Sequence, residues 1–240
     1  MFGRRPRIHR VLLKISGESL VESGELGIDP TPLQTVAGQI KAVQDQGVEV
    51  AVVIGGGNLM RGAVIAKTGI NRATADHMGM LATAINCLAL QDALEKFDLD
   101  TRAMSAVPMN AFMEPYVRRR AHRHLSRGRV VLLACGTGNP FCTTDTAAAL
   151  RATELGVDVL LKATKVDGIY SADPHEDPTA TKFEHLTFRE ALDKSLRVMD
   201  LTAFTMCMEN SMPIMVFDLF TPGNLQRAVK GENIGTWVTE

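Results

Sequence analysis

The stretch Val48-Glu49-Val50-Ala51-Val52-Val53-Ile54, followed at once by Gly55-Gly56-Gly57-Asn58, decides the fold. A near-continuous β-branched run without polar alternation is the pattern of a strand covered on both faces, as in a parallel sheet. The three glycines end that strand at its carboxyl side, where open α/β sheets hold their ligands. Working outward, the same junction recurs. Upstream, Val11-Leu12-Leu13-Lys14-Ile15 runs into Ser16-Gly17-Glu18. Downstream, residues 129–134 run into Gly136-Thr137-Gly138-Asn139-Pro140.

Helical patterns fill the gaps between these strands. Pro30 and Pro32 open one, with Leu33, Val36, Ala37, Ile40 and Val43 on a single face and Gly47 as its stop. Residues 74–97 predict a long helix that is apolar nearly all round, which suits a core or a subunit contact. A strand near 101–107, a basic helix over 115–127, and a helix over 146–155 stopped by Gly156 follow. Then come a strand over 157–163 and a turn-rich hairpin over 167–183. A helix from about Leu201, a strand over 214–218, a short helix over 225–230 and a strand around Trp237 complete the chain. Alternation of this kind predicts an α/β protein with a mostly parallel sheet. With no repeat, linker or composition break, residues 1–240 read as one domain.

Composition excludes several classes. The chain has 26 Lys+Arg against 27 Asp+Glu, so bulk charge offers nothing to a nucleic acid or an anionic membrane as main partner. Aromatic side chains make up 5%, too few for single-strand stacking platforms. Four cysteines (Cys87, Cys135, Cys142 and Cys207) form no CxxC pair and no zinc spacing, and they point to a reducing, cytoplasmic setting. The apolar run after the basic Arg4, Arg5, Arg7 and Arg10 stops at Lys14, too soon for a signal or membrane segment.

Three strand-to-glycine junctions with Lys14 and Arg61 nearby point to phosphate. Glycines let backbone N–H groups approach an anion, and a following helix N-terminus favours negative charge. Walker A, GxGxxG and protein-kinase signatures are all absent from the sequence. Single residues stay open to plainer readings. Lys14 could be a strand-end lysine stretched toward water, and Arg61 a surface arginine. Asp76 could be a first-turn helix acid, and Asp145 and Asp200 helix caps. Within Arg118-Arg119-Arg120-His122-Arg123-His124-Arg127, the two histidines point to different sides of a helix. The run reads as a solvated face, a subunit contact or an anion site.

Together, Lys14-Ile15-Ser16-Gly17-Glu18, Gly55-Gly56-Gly57-Asn58 with Arg61-Gly62, Asp76-His77-Met78-Gly79-Met80, the loop from Thr137 to Asp145, and Lys162-Ala163-Thr164-Lys165-Val166-Asp167-Gly168 resemble the bacterial UMP kinases of the amino acid kinase family. The likeness runs along nearly the whole chain in one register. It implies a three-layer αβα sandwich, with an acceptor-nucleotide lobe over about 1–155 and an ATP lobe over about 156–240. It also implies phosphoryl transfer from ATP, with Mg²⁺ carried by the ATP, to UMP.

By that resemblance Lys14, Arg61, Asp145 and Asp200 are the catalytic set. Lys14, Ile15, Ser16, Gly17, Gly57, Arg61, Thr164, Tyr170 and Asp173 would hold ATP. Gly56, Asp76, Thr137, Gly138, Asn139, Pro140, Phe141, Cys142, Thr143 and Thr144 would hold UMP. No motif supplies a direct metal site. The resemblance further implies a homohexamer inhibited by UTP. Gln91 and Glu95 stand where GTP-responsive relatives carry basic residues, so GTP activation is not expected. Rival readings are a kinase for carbamate, glutamate or isopentenyl phosphate, and a nucleotide sensor without turnover. The Asp76 helix and the loop from Thr137 to Asp145 speak against the first. Retention of Lys14, Asp145 and Asp200 together speaks against the second.

Overall fold

The apolar runs become neighbouring parallel strands. A computed structural model describes residues 8–21, 26–60, 69–174, 176–196 and 198–240. In chain order its elements begin with β1 (Arg10–Ile15), a 3-10 turn (Gly17–Leu20), α1 (Pro30–Gln44), β2 (Glu49–Ile54), α2 (Arg72–Glu95), β3 (Thr101–Ser105) and β4 (Glu114–Pro115). Next are α3 (Arg118–Leu125), β5 (Val130–Ala134), α4 (Thr144–Leu155), β6 (Val159–Thr164), β7 (Ile169–Tyr170), β8 (Lys182–Phe183) and β9 (His185–Thr187). The last are α5 (Phe188–Asp193), α6 (Leu201–Glu209), β10 (Ile214–Asp218), α7 (Asn224–Val229) and β11 (Thr236–Thr239).

Among the described residues nine strands form one sheet in the order β4-β3-β5-β2-β1-β6-β10-β11-β9, and β7 pairs with β8 as a separate hairpin. Within the large sheet only the β10–β11 pairing is antiparallel, so β11 and β9 run against the other strands. Helices cover both faces, as the sandwich reading expects. Val11, Leu13, Ile15, Val52, Leu132 and Leu161 pack under α1, α2 and α7. Leu12, Val53, Leu160 and Ile214 pack under α3, α4, α5 and α6. This split follows from the alternation of side chains along each strand.

Local chemistry sets the helix ends. Asp29 caps α1, where Pro30 supplies the first helical φ without losing a needed donor. Thr143 caps α4, and Gly156, at φ 59°, closes it in the left-handed region that glycine tolerates. Thr187 and Glu190 form a reciprocal capping box on α5. The short α5, β4 and β9 and the 3-10 turn are additions to the elements legible in the sequence. Helix α2 buries Met80, Cys87, Leu90 and Leu94, while Leu81 and Ile85 are each 52% exposed and Leu88 is 38% exposed. That apolar side has no partner among the described residues.

Candidate active site

Lys14 is the penultimate residue of β1 and is only 8% exposed. Directly beside it in the register of β1 and β6 stands Lys162, so both side chains leave the sheet on one face. Two ammonium groups held together in a buried place repel and lose hydration. Asp145, in the first turn of α4, answers both. Its Oδ1 lies 2.8 Å from Lys14 Nζ and its Oδ2 lies 2.8 Å from Lys162 Nζ. Burial alone would raise the Asp145 carboxyl. The Lys14 and Lys162 ammonium groups outweigh it and hold the carboxyl below the ordinary range. For Lys162, burial pushes the pKa down, Asp145 opposes that shift, and Lys14 adds to it.

A second carboxylate ties two helix N-termini together. Asp200 caps α6, accepting from the Ala203 amide at 2.9 Å and from the Thr146 hydroxyl at 3.1 Å. It also accepts from the Thr143 hydroxyl. That same Thr143 oxygen caps α4, receiving the amides of Asp145 and Thr146, each at 3.1 Å. Asp200 is therefore a helix cap and a member of the site at once. Asp145 is no cap, because Thr143 takes that place. The positive ends of α4 and α6 converge beside the lysine pair, an arrangement that favours an anion there.

A cavity of about 640 Å³ opens in front of α2. Gly56, Gly57, Asp76, Thr137, Asn139, Cys142, Thr143 and Thr144 line it, with Arg72, Met80 and Thr83. Gly138, Pro140 and Phe141 belong to the same loop without lining the cavity. A Cβ on Gly56 would come within 2.8 Å of the Ala82 Cβ and 2.9 Å of the Gly79 carbonyl oxygen, so only glycine lets α2 pack this closely on the loop. Asp76 sits in the second turn of α2, not the first. It receives Arg72 Nε at 2.9 and 3.0 Å and the Phe141 amide at 2.8 Å, pinning the loop to the helix.

A second cavity, about 590 Å³, has Lys162 and Asp200 at its polar end. Leu192, Leu196, Val198, Met199, Leu201 and Phe204 supply apolar walls. Such a site suits a ligand with an apolar body and an anionic end. The Thr143–Asp200 contact joins a lining residue of each cavity. Thr164, Tyr170 and Asp173 line neither. Thr164 donates to the Val166 carbonyl at 2.5 Å, and the Tyr170 hydroxyl donates to Asp167 at 2.6 Å. The Asp173 carbonyl receives the amides of Glu176 and Asp177. Ile15 ends β1, and the Ser16 carbonyl accepts from the Ser19 amide at 3.0 Å. Gly17 lies against the triple-glycine loop, where an added Cβ would stand 2.5 Å from the Gly55 carbonyl oxygen. Arg61 and Gly62 fall outside the described residues.

Lys162 and Thr146 are the site residues that sequence reasoning missed. A polar Lys162 inside the run Val159-Leu160-Leu161-Lys162-Ala163 was a visible anomaly, but its role depends on the register with β1. For a divalent cation the donor chemistry is lean. Asp145 is engaged by two lysines and Asp200 by two hydroxyls and an amide, and no cluster of three His, Cys, Asp or Glu exists among the described residues.

Residues 9–218 match the sequence profile of the amino acid kinase family. A uridylate kinase of Legionella pneumophila (strain Paris) is 54% identical over 229 residues, covering 95% of this chain and 93% of that protein. Among solved structures, the UMP kinase from Bacillus anthracis superposes with a TM-score of 0.95 at 36% identity, covering 97% of this chain and 96% of that one. The UMP kinase from Ureaplasma parvum gives 0.92 at 34% identity, covering 98% and 100% respectively.

Proposed function

The chain belongs to the amino acid kinase family, and on that premise we infer that it is a nucleoside monophosphate kinase, moving the γ-phosphoryl group of ATP reversibly to UMP to give UDP and ADP. The observation that carries this reading is a pair of cavities whose lining residues Thr143 and Asp200 touch, with Lys162 in the wall of the second and Asp145 tying Lys162 to Lys14. Phosphoryl transfer asks the protein mainly for position and charge stabilisation, and a pair of buried ammonium groups between two nucleotide sites supplies both.

In this reading UMP occupies the cavity of Gly56, Asp76 and Thr137 to Thr144. Asp76 accepts from the ribose hydroxyls and the loop reads the base. ATP lies across Gly17 and Gly57, with its phosphates toward Lys14 and Lys162 and its base toward Met199 and Phe204. By the resemblance Thr164, Tyr170 and Asp173 would hold the adenosine, although they line neither cavity. Carried on the triphosphate oxygens, a Mg²⁺ would supply charge neutralisation there, with no residue of this chain assigned to hold it. Asp145 holds Lys14 so that its ammonium faces the transferred group. No general base is required, because the attacking UMP phosphate oxygen is already ionised. The acceptor side belongs to about residues 1–155 and the donor side to about 156–240.

UTP carries the acceptor's uridine and would compete for its cavity. Gln91 and Glu95 give a triphosphate effector no cation at those positions, so GTP activation is not expected. The exposed Leu81, Ile85 and Leu88 stripe suits burial against further copies in a homohexamer, in a cytoplasmic setting. No described helix is long and apolar enough to cross a membrane.

Steady-state assays with ATP, Mg²⁺ and a panel of nucleoside monophosphates test the reading. UMP should be phosphorylated far faster than CMP or AMP, and equal rates would overturn it. Lys14→Ala should lower turnover about 10³-fold while leaving UMP binding largely intact.

A further inference from the structure

Two fully buried asparagines sit behind the glycine loops, and nothing in the chemistry above uses them. Asn58 follows the triple glycine, and Asn86 lies in the middle of α2; both are 0% exposed. Their amides face each other reciprocally. Asn58 Nδ2 donates to Asn86 Oδ1 at 2.9 Å, and Asn86 Nδ2 donates to Asn58 Oδ1 at 2.7 Å. The remaining hydrogens go to backbone carbonyls: Asn86 to Gly55 at 2.7 Å, and Asn58 to Gly27 at 2.7 Å. Every amide hydrogen of the pair is placed. A half-satisfied network of this kind would be costly in the core, whereas a complete one fixes a single arrangement.

The pair stands where the two nucleotide-facing loops touch. A Cβ on Gly17 would lie 2.5 Å from Asn58 Oδ1, 2.5 Å from the Gly55 carbonyl oxygen and 2.7 Å from the Gly57 amide nitrogen. The Gly55 amide, in turn, donates to the Ile15 carbonyl at 2.9 Å. Asn86 thus grips the loop on the UMP side through Gly55, and Asn58 braces the loop on the ATP side at Gly17.

We propose that the Asn58–Asn86 amide pair is a positioning device that sets the spacing between the donor and acceptor loops, so that the attacking and transferred phosphates meet at reacting distance. This rests on the reading that these loops hold the two phosphates. Glycine loops are otherwise free to drift, and a misplacement of about 1 Å can cost about 10²-fold in rate. Asn86 is the informative position, because it touches no nucleotide cavity and acts only through the loop.

The test compares four variants, assayed per folded molecule well below their melting temperatures. Asn86→Leu removes the amide at similar volume. Asn86→Asp keeps the shape and the acceptor but loses both donated bonds, and it serves if the leucine variant does not fold. Gln39→Leu is the control for a purely structural amide, since Gln39 bonds Leu219 and Leu225 behind α1, away from both glycine loops. The proposal predicts kcat lowered about tenfold or more in the Asn86 variants, with KM raised for both UMP and ATP. The Gln39 control should lower melting temperature alone. Asn86 variants that melt earlier but keep kcat and both KM values within about twofold would overturn the proposal. Gly56→Ala in the same panel separates the two claims. If it leaves KM for UMP unchanged, the loop assignment fails. If it raises KM while Asn86 variants do not, only the positioning role fails.

Discussion

At the residue scale the site is governed by one carboxylate shared between two lysines. Asp145 carries a depressed pKa in the folded chain, with burial opposing the shift and the two ammonium groups prevailing. On acidification the unfolded chain therefore binds this proton first. Its stabilising contribution is complete above the unfolded carboxyl value of about 3.9 and is lost as pH falls through the lower folded value. Asp145→Asn leaves Lys14 and Lys162 buried without a counter-charge, which should cost about 3 kcal/mol or more at neutral pH. Denaturant titrations from neutral to acid pH should show wild type and variant converging at the acid end. A constant gap would contradict the shared ion pair. Lys14, Asp145 and Asp200 were singled out in the sequence through the family resemblance, since strand-end and helix-cap positions alone left plainer readings of each open. Lys162 was not, since only the tertiary register of β1 with β6 turns a lysine inside an apolar run into its partner.

At the element scale the caps do double duty. Thr143 starts α4 and reaches Asp200, which starts α6, so one hydroxyl aligns two helix N-termini at the site. Thr143→Ala should destabilise the chain by about 1–2 kcal/mol, the usual cost of losing such a cap, and should lower turnover by releasing Asp200. Thermal unfolding and turnover measured together check both halves. A loss of stability with unchanged turnover would separate the cap from the chemistry. Long strands and helices were readable from periodicity, as α1 and β2 show. The short α5, β4 and β9 were not, because two to six residues carry too little period to distinguish them from turns. Even so, the Thr187 and Glu190 spacing that caps α5 was present in the sequence.

At the scale of the molecule, strand order was beyond the sequence. Nothing local says that β6 lies beside β1 while β2 lies on its other side, since those pairings join residues more than a hundred positions apart in the first case. The exposed stripe of α2 belongs to this scale too. Leu81, Ile85 and Leu88 recur at helical spacing on a side that no described part of the chain covers. Ile85→Glu should shift sedimentation toward smaller species, and an unchanged distribution would place the contacts between copies elsewhere.

The central claim is that two nucleotides meet across Lys14 and Lys162. The most direct measurement is a crystal structure with a bisubstrate analogue in which uridine and adenosine are joined through a chain of phosphates. The uridine should lie against Asp76 and the loop of Thr137 to Thr144, the adenosine against Met199 and Phe204, and the phosphates should pass beside Lys14. Phosphates lying away from both lysines, or both nucleosides in one cavity, would contradict the account.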